Sequence, residues 1–116
     1  MTNVDDALQA ALQAVLPGKV FPTVYTGEER EYIVTSHMTI PAVFADGKPG
    51  AARHLCTVRY FLPWKVNPNA TLLRIQEALS DADFTWPTVT DISDKEGQGY
   101  ALECEYANPG GAYGYS

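Results

Sequence analysis

Nucleophilic or metal chemistry in this sequence would fall to His37, His54, Cys56 and Cys104, its only histidines and cysteines. A cysteine nucleophile needs a base within hydrogen-bonding reach and an orienting group behind that base. His54 and Cys56 are two residues apart and in a strand share one face, at a separation of about 6 to 7 Å. Nothing nearby in the sequence forms an oxyanion hole, and a solvated or core-edge histidine beside a buried thiol is the simpler reading. Cys56 and Cys104 each lie in apolar, strand-like runs and read as small hydrophobes. Should their strands pair, a disulfide is geometrically conceivable, although a chain read as leaderless and cytoplasmic would keep it reduced. Zinc would need further ligands at suitable spacing, and His37 and His54 do not supply them.

Paired carboxylates are the other route to acid and base chemistry. Asp91, Asp94, Glu103 and Glu105 could meet across a terminal hairpin, but a solvated face with mild repulsion accounts for them. Asp81-Ala82-Asp83 lacks the glycine and the closing glutamate of a calcium loop. Gly47 and Gly50 are followed by neither a Gly-Lys step nor a third glycine opening a helix, so no phosphate cradle is expected. The expectation is a protein without catalytic, metal or cofactor sites, whose work is contact with other chains. Trp64 and Trp86 each flank a helix beside a proline, where an amphipathic ring either packs locally or meets a neighbour. Tyr113 and Tyr115 sit in a Gly-rich end with no core to join; that end is either disordered or ordered on a neighbouring subunit.

The 116 residues suffice for one core, because a second domain would leave neither half enough surface to bury. With 46% hydrophobic and 19% charged residues the chain has the composition of a folded globular protein. A net charge of −6 opposes nucleic-acid binding, which demands clustered Lys and Arg. No run approaches the roughly 18 apolar residues of a membrane span, so no membrane contact is expected.

Periodicity predicts a first helix from Asn3 to about Leu16. Thr2 or Asn3 caps it, Asp5 and Asp6 favour its positive end, and Pro17-Gly18 stops it. Val4, Leu8, Ala11, Leu12 and Val15 form its buried stripe, with Gln9 and Gln13 facing away. Lys19 to Tyr25 is a short strand that Pro22 confines to a sheet edge. After a turn at Gly27-Glu28-Glu29, a strand from Arg30 to Ile40 is expected to pair with it as a hairpin. Tyr32, Val34, Met38 and Ile40 would lie on one side, and Glu31, Thr35, His37 and Thr39 on the other. Turn residues at Asp46-Gly47-Lys48-Pro49-Gly50 make 41–52 an exposed loop. Arg53 to Leu62 reads as a central strand, apolar in part on both faces.

A second helix runs to about Ala82, capped by Asn67 or Asn69, with Leu72, Ile75 and Leu79 on one face and Leu73 at its margin. Thr88 to Ser93, a turn at Asp94 to Gly97, and Gln98 to Tyr106 form a hairpin. Its second strand places Tyr100, Leu102, Cys104 and Tyr106 inward and Ala101, Glu103 and Glu105 outward. The fold class is α+β: a mainly antiparallel sheet of four to five strands with two helices on one face. One domain covers 1–107, and 108–116 is a flexible Gly- and Tyr-rich tail.

The order and spacing of Val15-Leu16-Pro17, Val24-Tyr25-Thr26-Gly27, Glu31-Tyr32-Ile33-Val34-Thr35, Arg59-Tyr60-Phe61-Leu62-Pro63, Glu77-Ala78-Leu79 with Phe84, and Gly99-Tyr100-Ala101-Leu102-Glu103 resemble the tail terminator, or tail completion, proteins of long-tailed phages and prophages. The resemblance runs from Leu8 to Tyr106 and rests on tyrosines and turns; the Gly- and Tyr-rich end does not map onto it. It implies a minor tail protein of the virion, assembled in the host cytoplasm. Copies would form a ring, typically a hexamer, that caps the tail tube and meets the head-tail connector. Head-closure and tube-subunit roles share this architecture, and a small ligand-binding or enzymatic domain using His54 and Cys56 is the rival from another class. Candidate interface residues are Asp46, Lys48, Arg53, Arg59, Trp64, Glu103, Glu105, Tyr113 and Tyr115.

Overall fold

A computed structural model describes residues 4–23, 25–43 and 49–106, and the side chains of 41–53 lie outside that description. The elements are α1 (Val4–Gln13), β1 (Val20–Pro22), β2 (Tyr32–Val43), β3 (Pro49–Leu62), α2 (Asn69–Asp81), β4 (Thr88–Asp91) and β5 (Gln98–Tyr106). They form the α+β fold expected, a five-stranded sheet in the order β1-β2-β3-β5-β4 with two helices.

The apolar stripe of α1 buries Val4, Ala7, Leu8 and Leu12, with Val15 just beyond the helix. Gln9 and Gln13 are half-buried rather than turned away, and Gln13 Nε2 donates to Gln9 Oε1 at 3.1 Å. The chain leaves the helix through Gly18, whose φ of +76° is a conformation glycine adopts without strain. The expected cap residues Thr2 and Asn3 lie outside the described residues. In α2, Ile75 and Leu79 are fully buried while Leu73 is exposed. No side chain caps α2; Asn67 Oδ1 instead accepts from the Asn69 backbone N–H at 2.9 Å.

Both helices pack on the same face. One hydrophobic cluster joins Leu8 and Leu12 of α1, Ile75 and Leu79 of α2, and Ile33, Val58, Tyr60, Leu102 and Cys104 of the sheet. Fully burying each large aliphatic side chain contributes about 1.5–3 kcal/mol. The register makes this helix-covered face a set of cross-strand rows: Ile33–Tyr60–Tyr100, Thr35–Val58–Leu102, His37–Cys56–Cys104 and Thr39–His54–Tyr106.

The sheet departs from the expectations in two respects and settles a third point. The strand at Val20–Pro22 does not form a hairpin with its successor. It pairs parallel, Val20 opposite Ile33 and Pro22 opposite Thr35. The connection, residues 23–31, carries the chain back to the start of β2 instead of reversing it, so Val20 joins the core beside Ile33. The Thr23 N–H donates to Thr35 O at 2.7 Å, and the Ile33 N–H to Lys19 O at 2.8 Å. Second, the alternation of β2 is as expected, and packing assigns its sides: the one carrying Ile33 and Thr35 faces the helices, while the Tyr32, Val34 and Met38 side faces away from them, with Met38 60% exposed. Third, 41–52 is not all loop, since β2 runs on to Val43 and β3 begins at Pro49, with Ile40 opposite Arg53 and Pro41 opposite Ala52. Ladder hydrogen bonds outweigh the turn-rich composition there. At 14 residues β3 spans about 45 Å, most of the molecule's 53 Å length.

Candidate functional site

Among the described residues only one face of the sheet carries helices, so the opposite face is a surface available for contact. Alternation sets Tyr32, Val34, Ser36 and Met38 of β2, Leu55, Thr57, Arg59 and Phe61 of β3, and Ala101, Glu103 and Glu105 of β5 on it. At one end it is closed by a run of rings: Phe21 stacks on Tyr25 with centroids 4.0 Å apart, Tyr25 meets Tyr32 at 4.8 Å, and Tyr32 stacks on Phe61 at 5.1 Å. This explains why β3 is apolar on both faces without a second helical layer.

Arg59 occupies the middle of the free face, half-buried, with Nη1 donating to Ser36 Oγ at 3.4 Å. Glu103 lies exposed on the adjacent strand, diagonal to Arg59 because Arg59 pairs with Ala101 and Glu103 with Thr57. Arg59 and Glu103, both candidate interface residues, therefore share one face. Glu105 follows on the same face opposite Leu55, whose other neighbour is Met38, so apolar and acidic groups adjoin there. Trp64 lies away from them after β3, 57% exposed. Arg53 pairs through its backbone with Ile40. Asp46, Lys48, Tyr113 and Tyr115, with the rest of the tail 108–116, lie outside the described residues.

The sheet also has a free edge. β1 accompanies β2 only through Thr35, so from Ser36 to Ile40 the outer side of β2 has no strand partner among the described residues, and Pro41 ends that run of potential donors. Among the described residues, the β3–β5 pairing ends at His54 opposite Tyr106, and the segments 40–43 and 49–53 pair with each other as a ribbon. Such a ribbon is marginal alone and gains most from added contacts.

The groups that could do acid, base or nucleophilic chemistry do not assemble into one site. The hairpin carboxylates do not converge. Asp91 Oδ1 accepts from the Ser93 N–H at 2.8 Å, Asp94 Oδ1 accepts from the Glu96 N–H at 2.8 Å, and Glu103 pairs across the ladder with Thr88. The bonds from Ser93 hold the Asp91 carboxyl below its usual range. On the helix-covered face the His54 ring pairs with Thr39 Oγ1 through Nδ1 at 2.9 Å, and not with Cys56. Burial, then His37, pushes the His54 imidazole below its ordinary value.

The Cys56 thiol donates toward the His54 carbonyl at 3.7 Å and stands directly opposite Cys104. Its hydrogen bond with Cys104, reinforced by burial, drives it well above a normal thiol. A thiol held neutral in this way is a poor nucleophile. His37 Nδ1 lies 2.8 Å from Asp5 Oδ1, which ties the start of α1 to β2. No local signal could have revealed that pairing between residues so distant in sequence.

A cleft of about 480 Å³ opens where the β1–β2 connection meets the β4–β5 turn. Tyr32 and Phe61 line it together with Glu29, Arg30, Asp94 and Glu96. Its wall is fixed by Gln98, a residue the sequence reading passed over. The buried Gln98 amide donates to the carbonyls of Val66 at 2.6 Å, Pro63 at 2.8 Å and Trp64 at 3.3 Å, and its oxygen accepts from the Tyr100 hydroxyl at 2.7 Å.

Among the described residues no helix is long and apolar enough to cross a membrane, and no group of three or more His, Cys, Asp or Glu is placed to hold a metal ion. No protein-family model matches the chain, and no curated protein matches it.

Proposed function

We propose that this chain is a phage or prophage structural protein of the tail terminator type, forming a ring that caps the tail tube and meets the head connector. The observation that carries the reading is the free edge of β2, continued by the ribbon at 40–43 and 49–53. Unpaired strand edges template further strands, and soluble proteins ordinarily cover or blunt them. In a ring of identical copies each subunit offers two different patches and the rotation closes on itself. The edge is one such patch. The free face, with Met38 and Leu55 beside Glu103 and Glu105, is a second of mixed apolar and acidic character. A ring whose outward face differs from its tube-facing side ends the tube by geometry alone.

Deleting the gene from a producing phage tests the role. Tails of uncontrolled length are the expected result. Absence of tails would instead assign a tube subunit, and normal-length tails without heads a head-closure protein. Normal infectious particles would remove the reading altogether.

A further inference from the structure

We propose that Cys56 and Cys104 are an oxidisable pair that closes into a disulfide joining β3 to β5 when the protein meets a peroxide. The register sets the two residues directly opposite each other on antiparallel strands. Directly opposed residues have Cα separations of about 4.5 or 5.5 Å depending on the hydrogen-bonding type, and a disulfide accepts roughly 4.4–6.8 Å. The backbone can therefore stay where it is when the bond forms.

Both side chains point into the helix-covered face, Cys56 1% and Cys104 7% exposed, so the two thiols lie side by side in one packed row between β3 and β5. Leu102 on one side of Cys104 and Val58 on one side of Cys56 are fully buried, so the rows flanking the pair are held by packing.

The chemistry balances with hydrogen peroxide as the oxidant. Cys104, the more exposed sulfur, attacks a peroxide oxygen as its thiolate; the O–O bond breaks, leaving a sulfenic acid and one water. The Cys56 thiol, a poor nucleophile toward outside partners, then closes on the sulfenic sulfur opposite it: the S–S bond forms as the Cys56 proton leaves with the sulfenic hydroxyl as the second water. Two thiols and one peroxide give one disulfide and two waters. The product links the central strand to the last strand across 48 sequence positions, the difference between 104 and 56. Closing a loop of that size restricts the unfolded chain and stabilises the folded one. The inference is independent of the tail reading.

The test uses the full chain, purified reduced and treated with a small excess of hydrogen peroxide at neutral pH. Intact mass should fall by two hydrogens with the protein still monomeric on a non-reducing gel. Thiols titrated in denaturant should drop from both to none, and dithiothreitol should restore them. The oxidised protein should unfold at higher urea than the reduced one. Cys56→Ser and Cys104→Ser should each abolish the two-hydrogen loss. Retention of both thiols, uptake of oxygen atoms in place of the loss, disulfide-linked dimers, or a lower urea midpoint after oxidation would each overturn the proposal, and all four are read on the unmutated chain.

Discussion

His54 is a histidine held neutral by its surroundings. Burial and the neighbouring His37 lower its imidazole from the ordinary 6.5, while Thr39 supplies its hydrogen bond. The unfolded chain therefore binds this proton more readily than the folded one, and the linkage has a definite sign. Its contribution to stability is complete above pH 6.5 and declines as pH falls below that value toward the lowered folded-state one. Urea midpoints measured from pH 7.5 down to 5 should fall through that window, and His54→Gln should flatten the fall. A slope unchanged in the variant would show that His54 does not govern it. Gly99 is constrained by space rather than by φ. A Cβ there would lie 3.1 Å from the Phe61 ring and 3.2 Å from Ile92, so Gly99→Ala should cost about 1–3 kcal/mol through displacement of Phe61. Equilibrium unfolding checks this, and a neutral outcome would mean the ring moves freely.

Elements were legible to different degrees. The helix at Val4–Gln13 and the alternation of β5 emerge from short-range periodicity, and both agree with the structure in the faces they bury. Periodicity leaves the buried face of β2 open because Ile33, Thr35, Val34 and Met38 offer hydrophobic or β-branched groups to both sides, and only contact with α1 selects one. Gln98 shows how a polar residue can organise neighbouring elements. Its amide ties 63–66, between β3 and α2, to the start of β5. Gln98→Ala would remove the donor shared by the carbonyls of Pro63, Trp64 and Val66, at about 0.5–1.5 kcal/mol per bond lost. Amide hydrogen exchange at 64–66 should accelerate more than exchange in α1, and uniform acceleration would indicate a purely global effect.

Across the whole molecule, a sheet covered on one face and free on the other divides stability from contact. Leu8, Leu12, Ile75, Leu79 and Leu102 hold the covered side, while Met38, Leu55, Arg59 and Glu103 belong to the uncovered one. Met38→Lys should leave the monomer's circular dichroism and urea midpoint within about 0.5 kcal/mol of the parent, as for other exposed positions. It should, however, reduce ring formation, scored by native mass measurement and negative-stain imaging. Rings of undiminished yield would move the subunit contact away from this part of the face.

Sequence by itself determined the α+β class, the buried helix stripes, the edge position of Pro22 and the apolar surroundings of both cysteines. Each depends on a residue's intrinsic geometry or on neighbours within a turn or two of chain. Tertiary structure alone decided that β1 runs parallel to β2, that β2 and β3 extend through much of 41–52, that Asp5 reaches His37, and that Cys56 faces Cys104. Strand direction, pairing register and the choice of covered face are settled by contacts between distant segments, because the alternation of a strand defines two faces without saying what will lie against either.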